Sequence, residues 1–152
     1  MQLLSVNIGQ TRQIAAKSGW TGIYKASVTT PVHVGPEGLE GDHIVDREHH
    51  GGPEQAVYVY TQPDYEWWTP QLGATPHPGT FGENLLFSDL ESAPLLIGQR
   101  FQVGKMVLEV TWPRVPCVTL AVRMGDPAFV RKFREARRPG FYARVVQAGA
   151  VQ

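Results

Sequence analysis

Apolar positions in this chain fall in short runs separated by glycine and proline, with no long periodic stretch. Leu3–Ile8 reads as a first strand, and Gly22–Val28 alternates as a second. In that second run Ile23 and Lys25 share a face. If Ile23 points to a core, the Lys25 ammonium needs a partner or a wet pocket, whereas an edge strand would let it reach water. Residues 36–53 are rich in glycine, histidine and charge and read as a functional loop leading into the strand Ala56–Tyr60. Gln62–Leu72 predicts a short helix, in which the adjacent Trp67 and Trp68 diverge by ~100° and cannot share one narrow face. Pro78–Leu85 is a glycine-bearing loop entering a strand at Leu85–Phe87, and Phe101–Val103 and Met106–Val110 flank the two-residue turn Gly104-Lys105. Asp126-Pro127 offers a cap and first-turn proline for a basic helix with Phe129, Val130 and Phe133 on one stripe. Pro139-Gly140 stops that helix before a last strand, Phe141–Val146. Many short strands with two or three short helices predict a mainly β fold, a β-barrel or barrel-like α+β domain.

The chain has 152 residues and 42% hydrophobic content, which suits one domain over residues 1–152 with a sizeable core. Fourteen basic and fourteen acidic side chains cancel. A neutral chain lacks the broad positive field used to bind nucleic acid or anionic membranes, so any anion site must be a local pocket. No apolar run approaches the ~18 residues of a membrane span. The first residues are uncharged and strand-like, unlike a secretory leader, and a single cysteine suits a reducing compartment. The expected location is the cytoplasm.

That cysteine, Cys117, follows Trp112-Pro113-Arg114-Val115-Pro116. Two prolines fix the backbone before it, and Arg114 is near enough to favour the thiolate, the form that attacks electrophiles or ligates soft metals. Free cysteine is also among the most buried residue types, so an inert thiol and a working one both remain open on this segment alone. His43, Asp46, His49 and His50 are dense in sequence, but their spacing matches no zinc pattern. His50-Gly51-Gly52-Pro53 could bring backbone amides to an anion, and Asn84 could hold a planar amide or heterocycle or simply cap a turn.

Taken in order, several blocks make a more specific pattern. They are Gly22-Ile23-Tyr24-Lys25; Gly38-Leu39-Glu40-Gly41-Asp42 with Asp46; His50-Gly51-Gly52-Pro53-Glu54-Gln55-Ala56-Val57-Tyr58; Pro78–Leu85; Leu96-Ile97-Gly98; Pro113–Cys117; and Arg138-Pro139-Gly140-Phe141-Tyr142. With them the chain resembles the MOSC domain family, named for the C-terminal domain of molybdenum-cofactor sulfurases, and within it the small stand-alone bacterial branch. The resemblance implies a β-barrel built around a cysteine. It implies that Cys117 is the catalytic residue and the ligand of molybdenum in a molybdenum cofactor (molybdopterin). It further implies that Lys25 and Arg114 hold the cofactor phosphate in one shared pocket, and that Asp46, His50 and Asn84 belong to the cofactor site. The activity it implies is an oxidoreductase reducing N-hydroxylated compounds such as hydroxylamino-purines or amidoximes.

Two alternatives stay open on the sequence. Cys117 could carry a persulfide for metal–sulfur cofactor assembly, or the domain could bind the pterin cofactor without turnover. No iron–sulfur cysteine set and no GxGxxG loop is present, so a reductase of this kind would need a separate electron-donor protein. Relatives of this type continue with a further Gly-Asp-containing strand. The expectation is therefore a barrel that lacks a terminal strand or borrows one in a homodimer.

Overall fold

A computed structural model describes residues 1–152. Twelve strands form in chain order: β1 (Leu3–Gly9), β2 (Arg12–Gln13), β3 (Trp20–Thr21), β4 (Lys25–Val28), β5 (Val32–Gly35), β6 (Gly38–Leu39), β7 (Val57–Thr61), β8 (Leu85–Phe87), β9 (Arg100–Val103), β10 (Met106–Pro113), β11 (Phe141–Gln147) and β12 (Gly149–Val151). Three helices accompany them: α1 (Gln62–Leu72), α2 (Val118–Met124) and α3 (Phe129–Ala136). The fold is mainly β, as the residue pattern predicts.

A seven-stranded sheet in the order β4-β1-β8-β7-β11-β10-β9 forms the centre. Its pairings are antiparallel except for β7–β8, which is parallel. A parallel pair needs a crossover, and α1 supplies it between those two strands. A small sheet, β12-β5-β6, covers one face of the large one. The closed barrel expected from the sequence is not formed by the strand pairing. The large sheet ends at β4 on one side and β9 on the other, and those ends do not pair.

Strand alternation divides the interior into two cores. Val57 and Val59 of β7 join a cluster of 15 buried residues between the two sheets. Tyr58 and Tyr60, pointing the other way, join 11 buried residues under the three helices. Phe129 and Phe133 anchor α3 there, each contributing about 1.5–3 kcal/mol by the usual scale for a fully buried side chain. Trp68 stacks on Phe133 with ring centroids 6.0 Å apart and donates its indole N–H to Tyr60 Oη at 2.8 Å.

Two elements depart from the sequence reading. Gly22–Val28 is not one strand: only Lys25–Val28 pairs, because Gly22 lies against the His43 carbonyl, where any side chain would collide. Helix α2 carries no apolar periodicity that a short window reveals. It starts because Cys117 takes an extended backbone (φ −129°, ψ 173°) as its N-cap, directly after Pro116.

Candidate functional site

The thiol sits where β10 runs out. Beyond Pro113 residues 114–116 have no regular structure and lead into α2 at Cys117, which is half-buried. Burial pushes the Cys117 thiol up, but the His50 ring, the Leu120 backbone N–H and the Arg114 guanidinium beside it outweigh that cost. The thiol is lowered from 9.0 to about 6. The shift favours the thiolate, the form of cysteine that attacks electrophiles and ligates soft metals.

The groups that achieve this stand on one aromatic row. Tyr58, on β7, pairs with Tyr142, on β11, and their ring centroids lie 5.3 Å apart. The Tyr142 hydroxyl is 3.0 Å from His50 Nδ1, which holds the imidazole against this row. The Arg114 guanidinium carbon lies 4.9 Å from the Tyr58 ring centroid. Arg114 is buried, and one Nη donates to the Phe81 carbonyl, while its Nε has no partner. Burial works against its charge, yet the Tyr58 and Tyr142 hydroxyl groups and the Cys117 thiol beside it hold its pKa above the ordinary value.

Arg114 also lines a cavity of about 240 Å³ with Arg134 and Arg137, walled by Pro116, Phe133 and Pro139. None of these three arginines is within 4.0 Å of a carboxylate. The cavity wall is held by the tyrosines: Tyr60 Oη donates to the Arg138 carbonyl at 2.7 Å and Tyr58 Oη to the Pro139 carbonyl at 2.9 Å. Gly140 permits this approach, since a Cβ there would lie 2.5 Å from both the Tyr60 ring and the Val59 carbonyl. Arg137 itself caps α3 in the left-handed region (φ 53°), which turns its side chain away from the helix path.

A second polar cluster centres on Asp42. Lys25 Nζ donates to both Asp42 oxygens, at 2.6 and 2.8 Å, and the two side chains are only 7% and 4% exposed. Asp42 also accepts from the Gly9 N–H at 2.8 Å and from Asn84 Nδ2 at 2.8 Å. Asn84 Oδ1 accepts the Tyr58 N–H at 3.1 Å. The Lys25 charge is thus already matched, and the Asn84 amide is taken up by protein groups.

Of the six residues singled out in the sequence, the structure gathers Cys117, His50 and Arg114. Asp46 sits on the exposed loop four residues before His50 and accepts from the His49 N–H and ring at 3.2 Å. Its small burial pushes the carboxyl up, but the hydrogen bonds from His49 more than offset this and hold it below the ordinary value. Lys25 and Asn84 both bond Asp42. No three of the His, Cys, Asp and Glu side chains converge as a ligand set. Four site residues were given no role in the sequence: Tyr58 and Tyr142, quoted only as members of motif blocks, and Arg134 and Arg137. The only signals for them were the three-residue spacing of the two arginines on a basic helix and the position of Tyr142 just beyond Pro139-Gly140.

Comparison with known proteins adds an independent line. The family model of the MOSC domain matches residues 46–152. The Bacillus subtilis protein YflK is 37% identical over 151 residues, covering 98% of this chain and 68% of YflK. A protein of Gibberella moniliformis named "Reductase" is 30% identical over 154 residues, and the match spans 98% of this chain but 27% of that protein. The crystal structure of YiiM from Geobacillus stearothermophilus superposes with a TM-score of 0.80 at 28% identity, covering 99% of this chain and 70% of that one.

Proposed function

Since this chain belongs to the MOSC domain family, we propose that it is a molybdenum-cofactor-dependent reductase of N-hydroxylated compounds, working in the cytoplasm with a separate electron-donor protein. The carrying observation is that Arg114 both lowers the Cys117 thiol and lines, with Arg134 and Arg137, a cavity whose arginines have no carboxylate partner. The donor set fits the cofactor. Cys117 offers a soft anionic ligand, and Arg114, with its orphaned Nε, joins Arg134 and Arg137 in a pocket sized and charged for a phosphate monoester. When bound, the cofactor supplies a Lewis-acidic two-electron centre.

The chain's own residues then have defined tasks. Cys117 holds the metal. Arg114, Arg134 and Arg137 neutralise the phosphate and set the cofactor's orientation. His50 stands beside the thiol, and the Tyr142 hydroxyl fixes its ring. In the net reaction the N–O bond breaks and an N–H bond forms. The hydroxyl oxygen leaves as water, using two electrons from the donor protein and two protons. The relative named "Reductase" supports this class of chemistry.

The test is metal analysis after expression with ample cofactor, on wild type and Cys117→Ser. The expected result is close to one molybdenum per chain, lost in the folded serine variant because a hydroxyl is a poor soft-metal ligand. A low-pKa thiol equally suits a persulfide carrier. Sulfane sulfur on Cys117 in the absence of molybdenum would move the assignment there. Tight pterin binding without turnover would leave a binding module.

A further inference from the structure

The cross-strand row under the thiol does not stop at Tyr142. On β10 the pairing with β11 runs Val110↔Ala143 and then Trp112↔Tyr142, so Thr111 is an extra residue, a β-bulge. Its hydroxyl donates to the Glu54 carbonyl, and the Tyr142 carbonyl lies within 3.0 Å of it. Without the bulge, Trp112 would share a face with Val110, whose side chain belongs to the core between the sheets. The bulge turns Trp112 onto the face of Tyr142 and Tyr58, the face that carries His50, Arg114 and the thiol. Bulges near active sites often serve to re-aim one side chain in this way.

Along the row the two inner rings are covered. Arg114 lies over Tyr58 and His50 leans on Tyr142, with ring centroids 6.4 Å apart. Trp112 is the outer member, 55% exposed, with no ring or cation over it. About half of an aromatic side chain's ~150–250 Å² is enough area for the face of one planar small molecule.

We infer that Trp112 is the stacking platform for the planar conjugated part of the substrate, so that the site prefers aryl or heteroaryl N-hydroxylated compounds over alkyl ones. The inference rests on the reductase reading for the identity of the N–OH group, but the platform itself is a matter of binding. A planar ring laid on Trp112 continues the row outward and leaves its N–OH substituent on the side of Cys117. Trp112 is a positioning residue.

The test compares benzamidoxime with acetamidoxime on cofactor-loaded wild type, W112A and W112F, by calorimetric Kd and by kcat and KM. The expected result is an aryl-over-alkyl preference in binding that shrinks about tenfold in W112A, the usual loss for one stacked ring. W112F, which keeps an aromatic face, should retain most of it. An unchanged preference in W112A overturns the inference, also where W112A slows electron delivery instead, since Trp112 would then be a partner contact. Trp112-dependent binding of benzamidoxime without reduction would sustain the platform and overturn the reductase reading. Reduction of both compounds with no Trp112 dependence would do the reverse.

Discussion

At the scale of single residues the decisive fact is the ionisation of Cys117. Desolvation alone would raise the thiol, and His50, Leu120 and Arg114 reverse the sign. The rate of iodoacetamide alkylation of the cofactor-free chain should therefore rise with a midpoint near pH 6, against 9.0 for an ordinary thiol. His50→Ala removes a lowering contact and should move that midpoint upward; a midpoint that stays put would separate His50 from the thiol. The linked stability has the same sign. A depressed folded pKa adds stability that is complete above the unfolded value of 9.0 and is lost as pH falls through about 6. Little of this was readable from the chain. Arg114 is near Cys117 in sequence, whereas His50 is 67 positions away (117 − 50) and reaches it only because Tyr142 holds its ring.

At the scale of elements, β4 shows how an alternating run can mislead about purpose. Lys25 was expected at the cofactor phosphate, with the alternative of an edge-strand lysine reaching water. The strand is indeed an edge, yet the ammonium turns inward to Asp42, in a pair that also ties β1 through Gly9 and the β7–β8 region through Asn84. Removing one partner of a buried pair leaves an uncompensated charge, so Lys25→Ala should cost about 3–5 kcal/mol in a urea denaturation curve. If stability held while cofactor occupancy fell, Lys25 would belong to the phosphate site. The neighbouring loop is held as firmly: buried Glu83 accepts from the Tyr65 hydroxyl and the Gly79 N–H at 2.5 Å, and from the Phe81 N–H at 3.1 Å. That clamp places the Phe81 carbonyl on which Arg114 rests.

At the scale of the whole molecule, formal charge is zero, yet the distribution is uneven. Lysine, arginine and the N-terminus pair with seven of the fourteen acidic side chains, while Arg114, Arg134 and Arg137 share a cavity without one. An anion that binds the folded chain and not the unfolded one stabilises it by mass action, about 2.7 kcal/mol at a hundredfold excess over Kd. The melting temperature should accordingly climb with inorganic phosphate at constant ionic strength, and chloride should not substitute. In the double variant Arg134→Ala with Arg137→Ala the phosphate dependence should flatten. An equal rise in that variant would remove the cavity from the anion site.

Local patterns along the chain were enough for the mainly β class, the family resemblance, the hairpin at Gly104-Lys105 and helix α1. Each of these rests on local chemistry: turn residues, alternation, a cap, or an ordered set of short motifs. Tertiary structure alone decided which polar residues meet. Strand order brings Tyr58 beside Tyr142 and sends Lys25 to Asp42, and a left-handed cap aims Arg137 into the cavity. It also decided that the large sheet stays open, because closure depends on whether two remote edges meet. The bulge at Thr111 is the plainest case. Alternation read from the sequence puts Trp112 on the face of Val110, and one unpaired residue in the ladder puts it with Tyr142, since a shift of one position exchanges the two faces of a strand.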